Sequence, residues 1–239
     1  MKSILIIRLG EPVPGVRASR GDFEDWIETG MQRPPSDFKV VDVPKGEPLP
    51  APETLAGVVL TGSASMVSAR QDWSEATADW IVSAVSTQVP MLGICYGHQL
   101  IAHALGGEVG PNPNGREIGT AEVQLRAVSD PLLGSMPRQI SVQTSHSEAV
   151  LRLPEIALRL GQTDLDPNHV FRIGERVWGV QFHPEFDAEI MRGYIDARRE
   201  EMEAEGLSAT HLREACSDSP VGGQLLARFS ALVEQFSGL

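Results

Sequence analysis

Positive charge is scarce in this chain: 20 lysines and arginines stand against 32 aspartates and glutamates, a formal net charge of -12. That balance argues against general affinity for nucleic acid or an anionic membrane surface. No uninterrupted apolar run reaches the roughly 18 residues that suggest a membrane span. Cysteine is scarce too, with Cys95 and Cys216 alone in the sequence, and such a pair does not suggest a disulfide framework. Residues 1–8 are too few and too soon charged for a secretory leader, and they read as a first buried strand. A cytoplasmic location is therefore expected. No G-x-x-x-x-G-K-[ST] phosphate loop occurs, so neither ATP-driven activation of an acceptor nor any other cofactor chemistry is expected. Internal repeats and low-complexity segments are also missing.

What is present is an α/β pattern. The chain has 239 residues, enough for one such domain with a full core and too few for two large ones. Apolar strand-like segments at 3–7, 39–43, 57–60 and 90–94 alternate with helix-like ones. The alternation implies an open, mostly parallel sheet with helices on both faces. Residues 22–30 offer Asp22 as N-cap, a helical apolar face and Gly30 as a stop. Asp72-Trp73-Ser74-Glu75 resembles a capping box with Asp72 as the cap. The helix after it is expected to bury Trp73, Ala76, Trp80, Ile81 and Ala84, the tryptophans as core rather than as a ligand platform. Beyond Gly107 short strands are predicted at 120–125, 140–143, 157–161, 170–173 and 177–182, with a hairpin at Gly174-Glu175. After Asp187 come helices: residues 189–195, a solvated charged segment ending near Gly206, and an amphipathic one carrying Ala227, Phe229, Leu232, Val233 and Phe236. These extra C-terminal helices, residues 190–239, are expected to pack back on a core of residues 1–190 within a single domain, 1–239.

Gly93-Ile94-Cys95-Tyr96-Gly97-His98-Gln99 carries the chemistry. It lies between an apolar strand-like segment and a helix-like one, with glycine two places before and after the cysteine. The pattern is the G-x-S-x-G nucleophile elbow with cysteine for serine, placed after a central strand. Such a turn presents its side chain at the carboxyl end of the sheet, where open α/β folds bind ligands. A helix N-terminus also favours the thiolate. The plainer alternative is a buried, inert cysteine. Far downstream, Val177-Trp178-Gly179-Val180-Gln181-Phe182 runs into His183-Pro184-Glu185. A thiolate nucleophile wants an imidazole, and the imidazole wants an acceptor that fixes its tautomer. In an extended segment, which Pro184 favours, His183 and Glu185 point the same way. The alternative makes His183 a strand-end residue and Glu185 a first-turn helix carboxylate.

With these residues in place, the chain resembles the class I (triad-type) glutamine amidotransferases. The resemblance rests on residues 93–99 and on Gly179-Val180-Gln181-Phe182-His183-Pro184-Glu185, supported by Val59-Leu60-Thr61-Gly62-Ser63 and Thr144-Ser145-His146-Ser147-Glu148. It implies that Cys95 attacks the side-chain amide of glutamine, giving a γ-glutamyl thioester and ammonia. His183 would shuttle the proton and Glu185 would orient His183. The oxyanion hole would be the backbone N–H groups of Gly62 and Tyr96. Gln99, Ser145 and His146 match positions that hold the amino-acid end of the substrate. Where the family often has Gly-Gly-Pro, this chain has Thr61-Gly62-Ser63. That departure implies a free-standing subgroup related to the GMP synthase glutaminase domain, which includes γ-glutamyl peptidases.

Other features carry less. Arg116 and Glu117, in the turn-rich loop 110–117, read as a solvated pair, with contact to a substrate or partner as the alternative. Loop 12–20 offers Arg17 and Arg20, without a clear role. No metal is expected: Cys95, His98 and His103 are close in sequence but out of phase, and Cys95 with His183 and Glu185 suits attack better than zinc ligation. Three functions follow. The first is hydrolysis of a γ-glutamyl amide bond in glutamine or a γ-glutamyl peptide. The second is a glutaminase subunit serving a separate synthetase. The third is a non-catalytic binding or regulatory protein on the same fold.

Overall fold

The computed structural model describes residues 2–126, 129–134 and 136–237. The first half runs β1 (Ile4–Arg8), α1 (Pro14–Arg20), α2 (Phe23–Met31), β2 (Phe38–Asp42), β3 (Gly57–Leu60), α3 (Asp72–Ser86), β4 (Met91–Ile94) and α4 (Tyr96–Ala104). Strands dominate the middle: β5 (Glu108–Pro111), β6 (Glu117–Leu125), β7 (Gln139–His146), β8 (Glu148–Arg152), β9 (Ala157–Gln162), β10 (Val170–Ile173) and β11 (Val177–Val180). Helices α5 (Ala188–Ala197), α6 (Arg199–Ala204), α7 (Ala209–Ala215) and α8 (Val221–Ser237) close the chain.

Nine strands form one open sheet in the order β2-β1-β3-β4-β11-β10-β9-β6-β7, while β5 and β8 pair with each other. The sheet is mixed. Strands β2, β1, β3, β4 and β11 are parallel, and β10, β9, β6 and β7 join antiparallel. Because alternate side chains leave opposite faces of a strand, β1 feeds two cores. Ile4 and Ile6 join Phe23 and Ile27 of α2, Met191 and Ile195 of α5, and Leu225 and Phe229 of α8. Leu5 and Ile7 join Ile81 and Ala84 of α3 and Leu100 and Ile101 of α4 on the other face. Burial of each such side chain contributes about 1.5–3 kcal/mol before entropy is counted.

Local sequence signals mostly mark the right elements, with some ends displaced. Asp22 caps α2 in a capping box with Asp25, but the helix stops at Gln32 in the left-handed conformation rather than at Gly30. Gly30 lies inside the helix, where a Cβ would stand 2.4 Å from Leu226 Cδ1, so it serves the close approach of α8. Asp72 is the first residue of α3 instead of its cap; the cap is Gln71, with no side-chain hydrogen bond. Ala76 is exposed and Trp73 and Trp80 half-buried, while Ser74, Thr77, Ala78, Ile81 and Ala84 are buried. Packing on the sheet has turned the helix away from its most apolar line. Strands β5 and β8 escaped the sequence reading, because Gly110 and Pro111 look like turn formers and yet pair with Ala149 and Glu148. The hairpin at Gly174-Glu175 does join β10 to β11, with Gly174 at φ 56°.

Candidate active site

Strand β4 ends at Ile94 and α4 begins at Tyr96, which leaves Cys95 alone in the turn at φ 51° and ψ -102°. A non-glycine residue there costs on the order of 1–3 kcal/mol and persists only where its surroundings over-determine it. Here the Cys95 N–H donates to the Val180 carbonyl at 2.9 Å, and the Cys95 carbonyl accepts from Gln99 N–H at 3.1 Å. Both flanking glycines are sterically required. A Cβ on Gly93 would lie 2.5 Å from the Gly97 carbonyl oxygen, and one on Gly97 would lie 2.6 Å from Leu60 Cβ.

Strand β11 delivers the second part. It runs parallel to β4 with Val180 opposite Ile94, so the chain beyond Val180 passes beside the turn that holds Cys95. The His183 N–H donates to the Gln143 carbonyl at 2.8 Å, and His183 Nδ1 lies 2.7 Å from Glu185 Oε1. Since a carboxylate only accepts, Nδ1 carries a proton and Nε2 is left for the sulfur. Phe186 stacks on the imidazole at 4.1 Å between centroids, and Phe23 at 6.2 Å. Gly62 stands against the same ring, where a Cβ would be 2.8 Å from Cε1.

Protonation follows from this packing. Burial pushes the Cys95 thiol up, but the charge of His183, its hydrogen bond and the charge of His146 outweigh burial and hold the thiol below its ordinary value. Burial likewise disfavours a charged His183, yet Glu185 and Cys95 raise it far above ordinary imidazole. The groups therefore favour a thiolate–imidazolium pair, a form poised for nucleophilic attack.

The remaining sequence-predicted residues gather around this pair. Among the described residues, the N–H groups of Gly62 and Tyr96 have no hydrogen-bond acceptor. Cys95, Tyr96, Gln99, Ser145 and His146 line one cavity, with Glu148, Arg116 and Arg198 in its wall. The Ser145 carbonyl lies 3.9 Å from Cys95 Sγ. Gln99 Nε2 donates to the Glu148 carbonyl at 2.8 Å and to Gln181 Oε1 at 3.0 Å. A second cavity, about 240 Å³, opens on the His183 side between Pro12, Pro14, Phe23, Tyr194 and Arg198. Ser63, Ala64, Ser145 and Arg198 border both.

Some participants were not legible beforehand. Glu117 is buried rather than solvated and bonds His146 and His169, while Arg116 beside it pairs with Glu201 and Glu205 of the C-terminal segment. The available signal was that Glu117 opens β6 with Arg116 just before it, obscured by the turn formers that precede them. Arg198, expected on a solvated charged face, turns inward to the cavities.

Known proteins place this arrangement. Residues 35–195 match the family described as Glutamine amidotransferase class-I. The chain is 41% identical to the GMP synthase [glutamine-hydrolyzing] of Aeropyrum pernix over 140 residues, 59% of this chain and 25% of that protein. It is 34% identical to that of Porphyromonas gingivalis over 184 residues, 71% of this chain and 35% of that protein. The chain thus spans about a quarter to a third of these relatives. Among solved structures, a glutamine amidotransferase from Thermotoga maritima superposes with a TM-score of 0.78 at 26% identity, covering 98% of this chain and 99% of that one. This chain belongs to the class I glutamine amidotransferase family.

Proposed function

We propose that the chain hydrolyses a γ-glutamyl amide bond through a thioester on Cys95. The observation that carries the reading is the strained Cys95 turn set beside a His183 whose tautomer Glu185 fixes at 2.7 Å. The thiolate attacks the amide carbon, and the carbonyl π electrons move onto oxygen, toward the N–H groups of Gly62 and Tyr96. His183 then gives its proton to the leaving nitrogen as the C–N bond breaks. Water, deprotonated by His183, attacks the thioester; glutamate leaves and the thiolate is restored. Gln99, Ser145 and His146 stand where the amino-acid end of the substrate would sit.

Two features bear on the substrate. Ammonia needs little room to leave, whereas the cavity beside His183 is large enough for an amino-acid-sized amine and favours a γ-glutamyl peptide. Against this, a GMP synthase [glutamine-hydrolyzing] subunit of Archaeoglobus fulgidus is 42% identical over 115 residues, 45% of this chain and 61% of that protein. That likeness supports the second reading, a glutaminase serving a separate synthetase. Glutamate release from glutamine and from a γ-glutamyl dipeptide, with Cys95→Ala as control, separates them. Turnover that depends on Cys95 and favours the dipeptide supports a stand-alone peptidase. Turnover that survives Cys95→Ala would sink the mechanism.

A further inference from the structure

Beside the Cys95 cavity, and sharing His146 with its wall, lies a buried cluster whose Glu117 and His169 the mechanism above leaves unused. Glu117 opens β6, His146 closes β7, and His169 precedes β10. All three are buried, and a single carboxylate oxygen, Glu117 Oε2, lies 3.0 Å from His146 Nε2 and 3.2 Å from His169 Nε2. His146 Nδ1 lies 2.8 Å from the Glu148 carbonyl oxygen, the same atom that accepts from Gln99 Nε2.

Hydrogen-bond bookkeeping fixes the charges. A carbonyl and a carboxylate both only accept, so His146 carries a proton on each nitrogen and is an imidazolium. His169 uses Nε2 toward Glu117 and, among the described residues, has no partner at Nδ1. With both nitrogens held, His146 cannot pass a proton to the sulfur. It is a fixed charge.

We propose that Glu117 is a positioning residue of this site: through His146 it sets a second, immobile positive charge against Cys95 and anchors the 145–148 turn. Two carboxylate–imidazole pairs then flank one sulfur. Glu185–His183 moves protons, and Glu117–His146 supplies potential and shape. The turn matters because it brings the Ser145 carbonyl to 3.9 Å from Cys95 Sγ and forms the cavity wall from Ser145 to Glu148. The groups facing His146 are Glu117 from β6, Asp166 and His169 from the loop before β10, Cys95 from the elbow and His98 from α4, which burial and then His169 keep neutral. Burial disfavours a charged His146, but the hydrogen bond to Glu117 and the charge of Asp166 outweigh it, in keeping with the bookkeeping.

The inference rests on Cys95 as nucleophile, and its test keeps the two apart. Alkylation of Cys95 by iodoacetamide, followed across pH by mass spectrometry of the Cys95 peptide, reads the thiolate without any substrate. Glu117→Gln should move the inflection to higher pH and slow alkylation at pH 7 roughly three- to tenfold. In a parallel assay of glutamate release, KM should rise. Glu117→Asp should restore part of both. An unchanged alkylation profile in a folded Glu117→Gln protein overturns the proposal while leaving Cys95-dependent turnover intact. If that variant does not fold, the wild-type chain decides: ¹⁵N shifts of His146 at pH 7 should show two protonated ring nitrogens, and a neutral ring overturns the proposal. One Glu117 oxygen and one ring nitrogen each of His146 and His169 also lie within 4.8 Å of one another, so a stoichiometric metal in the purified chain would overturn the proton assignment as well.

Discussion

Replacing Glu185 with glutamine separates the charge of that residue from its geometry. The amide would keep an oxygen near the place of Glu185 Oε1, now 2.7 Å from His183 Nδ1, so the imidazole keeps its tautomer and its stacking on Phe186. What disappears is the negative charge that supports the imidazolium. A hydrogen bond to a charged group is stronger than a neutral one by about 1–2 kcal/mol, so kcat/KM should fall ~5–30-fold. Glu185→Leu removes the acceptor altogether and leaves a buried N–H unpaired, at a further cost of about 1–3 kcal/mol. The pH profile should carry the clearer signature. His183 stands above its ordinary value partly because of Glu185, so the glutamine variant loses its proton at lower pH and the alkaline limb moves down. The thiol is held low by His183 and His146, and the charge of Glu185 is a smaller influence that raises it, so the acid limb moves little. The bell should narrow from its alkaline side in initial-rate assays of glutamate release. Equal rates for the glutamine and leucine variants, or a bell that moves as a block, would refute the charge argument.

Gly97→Ala places a Cβ 2.6 Å from Leu60 Cβ and 2.7 Å from its carbonyl oxygen, while Gly15→Ala in α1 meets nothing within 4 Å. The first should cost about 1–3 kcal/mol and lower Tm by ~2–12 °C, and the second should raise stability by about 0.4–1 kcal/mol; thermal melts that move together would contradict this packing. Stability against pH follows from Glu117 and the histidines. Burial works against the charged Glu117, but its bonds to His146 and His169 hold it far below 4.5, so it contributes stability above pH 4.5 that is lost as the pH falls well below. His146 and His183 are raised above 6.5, so their contribution is full below 6.5 and fades as the pH climbs through the raised values. Melting temperatures should therefore peak between these limits, and Glu117→Gln should flatten the acid side.

Chemistry set within a few consecutive residues was legible in the sequence. Gly93, Cys95 and Gly97 constrain one another over a single turn, and that pattern survives in the structure. His183 and Glu185 do meet as expected, but across a turn closed by Phe186 N–H on the His183 carbonyl rather than along an extended segment. Strand periods and the Asp22 cap fixed most elements of the parallel half of the sheet because each depends on neighbours in sequence. Helix phase was less legible: Ala76 faces solvent because the sheet, not the helix's own apolar pattern, chose which side of α3 to bury.

By itself, then, the sequence determined the α/β alternation, the strained cysteine turn and the histidine–carboxylate step, all consequences of short-range sterics and spacing. Tertiary structure alone decided which distant groups surround the sulfur. Glu117, His146 and His169 come from three elements, and they meet because β6 and β7 pair in register while the loop before β10 folds over them. Arg116 and Arg198 reach the cavity for the same reason, held where β6 meets the C-terminal helices. Burial turned Glu117 from an ordinary loop carboxylate into an anchor, because a charge removed from water must find its partners within the fold.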